Sequence, residues 1–207
     1  MLRLKQTSPH IMLIMFICSL CSSFALAVQD KETIIKKESY PNEPIELVAL
    51  RIKEKQVRVS ESFAGDRDWY KNISLSAKNI SGKTIVYLEL ELEIPESGTM
   101  ERPVVIPFVF GELPTEASSI INMPASKRIL PNEIRKLELT DSMKDFITNH
   151  LMNHNVDMVS EAKLNIVLVV FDDGLAWKNG QTLQQNPRNP REWKIRSLLK
   201  SQLTTTR

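Results

Sequence analysis

The run Thr84 to Ile94, TIVYLELELEI, restricts the chain more than any other stretch. Val86, Leu88, Leu90, Leu92 and Ile94 take the even positions, and Tyr87, Glu89, Glu91 and Glu93 take the odd ones. Successive side chains of a β-strand point to opposite faces, so this spacing predicts one apolar and one acidic face. A helix would scatter the same residues around its circumference. The fold must therefore offer a sheet with one side on a core and the other toward water.

The neighbouring runs agree. In WYKNISLSAKNIS, Ile73, Leu75 and Ala77 alternate with Asn72, Ser74, Ser76 and Lys78, and SGK (81–83) supplies a hairpin connection to the next strand. IELVALRI and KQVRVSESF are further short β-type runs. RPVVIPFVFGELP reads as a strand in which Pro103 and Pro107 lack backbone donors, which places it at a sheet edge or at a bulge. From Gly111 to Pro131 the chain holds three prolines and no period, a connection long enough to be functional or mobile. NEIRKLEL is a strand with imperfect alternation.

One helix is predicted over about 140–154, TDSMKDFITNHLMNHN, with Thr140, Asp141 or Ser142 as its cap and Met143, Phe146, Ile147 and Leu151 at helical spacing. AKLNIVLVVF then reads as a strand covered on both faces, with the helix lying over one of them. Together these elements predict a mainly β chain, an antiparallel β-sandwich with one packed helix.

The first 27 residues have the form of an export signal. Arg3 and Lys5 precede an uncharged run, Ile11 to Leu20, and Ala25 and Ala27 stand where a signal peptidase cuts. The run is short for a membrane span, and an uncleaved anchor is the alternative. Cleavage after Ala27 removes both cysteines, Cys18 and Cys21, and leaves equal numbers of basic and acidic residues. Such a chain has no thiol chemistry and no global charge to attract nucleic acid. Residues 28–44, charged and holding Pro41 and Pro44, read as an exposed leader, 45–178 as the sandwich and 179–207 as a basic extension.

FDDGLAWKNG, residues 171–180, looks most like chemistry. Adjacent residues at a strand end diverge, whereas paired catalytic carboxylates must converge. Asp173-Gly174 instead suits a two-residue type I′ hairpin turn. His150 and His154 share a helix face at the spacing of a zinc pair; the glutamate of an HExxH motif is missing, and a third ligand would have to come from Asp157 or Glu161. Helix-end histidines are the plainer explanation. Glu89, Glu91 and Glu93 form an acidic stripe suited to cations or a basic partner, or simply to solvent. Arg188, Arg191 and Trp193 lie in the basic extension, which suits an anionic surface or a solvated tail. Asn72-Ile73-Ser74 and Asn79-Ile80-Ser81 are glycan acceptors where the secretory pathway supplies the enzyme. No serine elbow, phosphate loop or dinucleotide fingerprint occurs.

KNISGKTIVYLELEL and ILPNEIRKLEL resemble exported bacterial immunoglobulin-like domains of the FxLYD type. FDDG with the later NPREW resembles uncharacterised secreted proteins of environmental bacteria. The resemblance covers about Ile45 to Trp193 and implies an immunoglobulin-like sandwich outside the cytoplasm, with no catalytic residues to carry over. The expected function is an exported, non-enzymatic module, secreted or periplasmic and without a cofactor, that binds a protein or cell-envelope component. The alternatives are a metal-dependent hydrolase using His150 and His154 with an acid from Asp157, Glu161, Asp172 or Asp173, and an envelope protein anchored by its N-terminus.

Overall fold

A computed structural model describes residues 31–96, 98–114, 124–186 and 189–196, so the stretch expected to be an export signal and the last eleven residues lie outside the described chain. The chain is a mainly β sandwich of an eight-stranded and a four-stranded sheet with one α-helix among the described residues. The strands are β1 (Lys31–Lys37), β2 (Ile45–Ile52), β3 (Lys55–Val57), β4 (Ser62–Gly65), β5 (Ile73–Asn79), β6 (Ile85–Ile94), β7 (Val104–Gly111), β8 (Ile134–Glu138), β9 (Glu161–Phe171), β10 (Leu175–Lys178), β11 (Gln181–Asn186) and β12 (Asn189–Ile195). The helix, α1, is Asp141–Asn153. No described helix is long and apolar enough to cross a membrane.

The smaller sheet runs β3-β2-β5-β8 and is antiparallel throughout. In the larger one, β9 pairs along one edge with β6, which pairs onward with β7. Its other edge is divided. The first part pairs with β1, parallel, and the second with β10. Beyond these lie β4 on one side and β11 and β12 on the other. Where β1 and β10 part, Trp177 Nε1 donates to the Pro41 carbonyl at 3.2 Å, and Tyr40 meets the indole edge-on.

Two boundaries expected from sequence are corrected by this topology. Residues 31–37 are an inner strand and no exposed leader: Ile35 is 0% exposed and Thr33 equally buried. Seven residues whose two aliphatic side chains, Ile34 and Ile35, are adjacent show no alternation to stand out among charges. The extension from 179 likewise enters the sheet, as β11 and β12. The Asn179-Gly180 link between β10 and β11 has positive φ at both residues (48° and 81°), as a type I′ turn requires. The turn at 172–174 has positive φ only at Gly174, so it is a turn as expected but of another type.

The core lies between the sheets. Leu88, Leu90, Leu92 and Ile94 of β6 enter it with Leu164, Ile166, Val169 and Phe171 of β9, Leu50, Ile52, Leu75 and Ala77 of the facing sheet, and Ile106 and Phe108 of β7. Val86 departs from the predicted alternation. A bulge between Ile85 and Tyr87 puts Ile85 in the core and moves Val86 to the outer face, where it packs with Tyr87, Val170 and Ala176. A second irregularity on β9 at Val167 restores the register. The backbone of Gly111 (φ 80°) approaches this bulge so closely that a Cβ would lie 2.2 Å from the Val86 carbonyl.

α1 is capped by Thr140, whose hydroxyl accepts from Met143 N at 3.3 Å. Its Ile147 and Leu151 join the same inner core, and it abuts β7. The helix therefore closes one side of the sandwich; it does not lie on the outer face of β9, whose apolar cluster contains no helix residue. Phe146, at helical spacing but turned away from Ile147 and Leu151, is 59% exposed.

Asn79 joins the sheets. It is 0% exposed, its Nδ2 donates to the carbonyls of Lys83 and Ile129, and its Oδ1 accepts from the amide and hydroxyl of Ser81. All its bonding capacity is spent holding the crossing from β5 to β6. The sequon at Asn79 is thus a structural device, whereas Asn72 stands exposed.

The buried strand β1 makes a direct prediction. Ile35→Ala should cost about 2–5 kcal/mol of unfolding free energy in urea, as a core truncation does, against nearly nothing for a leader residue. Gly111→Ala should also destabilise, by about 1–3 kcal/mol, because of its positive φ and its contact with Val86.

Candidate interaction surface

Asp172 and Asp173 do not converge. The amide of Asp172 donates to Thr84 O, Asp173 Oδ1 accepts from Leu175 N, and Asp173 Oδ2 pairs with Lys83 at 2.5 Å. The second carboxylate is occupied in tying this hairpin to Lys83 of the β5–β6 crossing, whose ammonium also lies over the Phe171 ring. His150 and His154 do meet, with ring centroids 4.6 Å apart. The acids expected to complete a metal site are elsewhere: Asp157 faces Arg67 and Glu161 pairs with Lys36 at 2.8 Å. Among the described residues no third His, Cys, Asp or Glu joins the two rings.

Of the tail residues, Arg188 lies outside the described chain, and Arg191 is described only as backbone of β12. Trp193 packs against the outer apolar cluster, with Leu183 and Val170, so it supports the sheet. The ends of the long connection are held too: Gln185 Nε2 donates to the Pro114 carbonyl at 3.2 Å, and Ile129 bridges to Ile85. Residues 115–123 fall outside the description.

The expected acidic stripe has the richest setting. Glu89, Glu91 and Glu93 project from the outer face of β6 opposite Val109, Pro107 and Val105 of β7, and opposite Leu168, Asn165 and Lys163 of β9. β7 is an edge strand, as its prolines predict, pairing only with β6. Its outward valines are bare, Val105 at 43% and Val109 at 48% exposure. An acidic row thus lies beside an open apolar row. The sequence signal for the valines was present in VVIPFVF, whose prolines place it at a sheet edge or at a bulge. Only its inner side is covered.

The three carboxylates differ in their partners. Glu93 reaches Lys163 at 3.5 Å, and Glu89 accepts from the Tyr87 hydroxyl at 3.0 Å. Burial first, then the charge and hydrogen bond of Glu89, push the Tyr87 phenol up to about 12. Glu91, in the middle, has no hydrogen bond or ion pair among the described residues. Its pKa is raised by burial first and then by Glu89 and Glu93, with Lys178 opposing. Opposite it, Asn165 Oδ1 is buried without a partner. Glu91 and Asn165 are thus register partners, each with an oxygen that has no hydrogen bond among the described residues.

No family model matches this chain, and neither the curated proteins nor the solved structures contain a detectable relative. The chemistry must be read from the surface alone. An acidic, half-buried row flanked by valines can hold a cationic group while apolar parts of the same partner cover β7.

A raised carboxyl pKa means that the folded chain keeps this proton to higher pH than the unfolded chain does. The cost of ionising Glu91 is absent below the ordinary 4.5 and fully present once the pH has passed the folded value. Glu91→Gln should therefore be more stable than wild type at neutral pH, by about 0.2–1 kcal/mol, with the gain vanishing in acid. Urea titrations at the two pH values measure it.

Proposed function

We propose that the chain is an exported, non-enzymatic binding module of immunoglobulin-like architecture, which holds a cationic protein or envelope component against the outer face of β6 and β7. The observation that carries this reading is the state of Glu91. It sits half-buried between two like charges, without a bonding partner, beside the unpartnered Asn165 Oδ1. Rows of like charge on a sheet destabilise it. A guanidinium or ammonium group placed there would give both acceptors a donor and relieve the repulsion.

Two further features support it. The exposed valines of β7 extend the polar row into a mixed surface, with an apolar patch beside a charged one, and such patches mark contact sites. The outer face of the smaller sheet mixes both charges: Lys78, Arg51 and Lys136 project there with Glu46 and Glu138, beside the exposed Ile134. Export is supported by the leader up to Ala27 and by the resemblance to FxLYD-type domains. Secreted or periplasmic residence follows from that reading.

A photo-crosslinking residue placed at Val105 should capture partners in the native envelope, and one at Lys78 should not. Glu89→Lys/Glu91→Lys/Glu93→Lys should abolish the Val105 adducts, and raised salt should weaken them. Equal adducts from both positions, or adducts indifferent to the charge reversal, would refute the assignment. Mass spectrometry of the native N-terminus tests export separately: a chain starting at Val28 is expected, and one retaining Met1 signifies an anchored protein.

A further inference from the structure

The C-terminal turn of α1 carries a second cluster that the binding face does not use. His150 and His154 are one helical turn apart, both half-exposed, with ring planes inclined by 41° and centroids 4.6 Å apart. The connection from β6 to β7 is clamped onto this end of the helix. The His154 carbonyl accepts from both the amide and the hydroxyl of Thr99, each at 3.0 Å. Gly98 allows the approach: with φ at 60°, a Cβ there would lie 2.5 Å from the same carbonyl.

The clamp also reaches the ring of His154: Thr99 Oγ1 lies 3.4 Å from its Nδ1. In the tautomer whose Nδ1–H donates to that oxygen, Nε2 keeps its lone pair, the form that ligates metals. A hydrogen bond to the remote ring nitrogen also orients such a ligand and raises its basicity.

We propose that His150 and His154 form a two-nitrogen site for a borderline divalent transition metal, of which zinc and nickel are the probes. Imidazole suits these ions, which sit about 2.0–2.1 Å from each nitrogen. With centroids 4.6 Å apart, the rings stand close enough for one nitrogen of each to reach a single ion at that bond length. Calcium and magnesium are disfavoured, because they need oxygen ligands and the nearby acids Asp157 and Glu161 are turned to Arg67 and Lys36. With two ligands from the protein, the ion keeps positions open to water or to a donor from another molecule. The site is one of capture and exchange, distinct from the acidic face of β6.

Calorimetric titration of tag-free protein with zinc or nickel chloride tests this. Wild type should bind one ion per chain. His150→Ala and His154→Ala should each lose at least about tenfold in affinity, and Thr99→Val should lose roughly tenfold with its circular dichroism and melting temperature unchanged. The Glu89→Lys/Glu91→Lys/Glu93→Lys variant should bind metal as wild type does, which separates this site from the binding face. Equal affinity in wild type and the histidine variants overturns the site, and equal affinity in Thr99→Val overturns the role of the clamp.

Discussion

Backbone groups buried inside a protein must find partners, and in this molecule that requirement converges on β9. One edge of the strand is taken by β6 from Lys163 to Phe171. The other edge is shared: β1 takes it from Glu161 to Leu164, and β10 takes it at Val169 and Val170. Without β1 the beginning of β9 would have an unpaired buried edge, and without β10 its end would. The N-terminal strand and the C-terminal hairpins are thus tied to one strand from opposite ends of the chain. Trp177 closes the gap between them through its bond to Pro41, and the buried Trp69 donates to the Val159 carbonyl just before β9 begins.

The same sheet explains why chemistry gathers on its outer side. β6 contributes an apolar face to the core and must therefore present its odd residues outward, whatever they are. They are glutamates, set between Val109, Pro107 and Val105 of an edge strand and Leu168, Asn165 and Lys163 of β9. Two of the three find a local partner, and the central one does not. The valines beside it are open, and among the described strands β7 has no neighbour beyond it. The edge therefore joins charge and apolar area in a single surface.

Local pattern was a good guide wherever one face of an element alternates strictly. The alternating faces of β5 and β6, the acidic row, the edge position of β7, the cap at Thr140 and the turn at Asp173 were all legible in this way; the hairpin expected through residues 81–83 is instead a crossing, because β5 and β6 enter different sheets. The misses share a different cause. β1, with Thr33 and Ile35 buried amid lysines and glutamate, owes its place to a parallel partner more than a hundred residues away, which no local window sees. The exposure of Val105 and Val109 was not legible, because an apolar residue states what it prefers and not whether a neighbour exists to cover it. The Asn79 sequon looked like a surface feature, and its buried hydrogen bonds depend on Ile129, far along the chain.

By itself the sequence determined the periodicities: which residues of β5, β6 and β7 share a face, where the helix starts, and that carboxylates at alternate positions must stand in a row. Those follow from the geometry of one residue relative to the next. Tertiary structure alone decided that β9 would be divided between β1 and β10, that a bulge would turn Val86 away from the core, and that Thr99 would reach the carbonyl and ring of His154. Each of these depends on hydrogen bonds or close contacts between segments distant in sequence, and such partners are chosen only when the whole chain has packed.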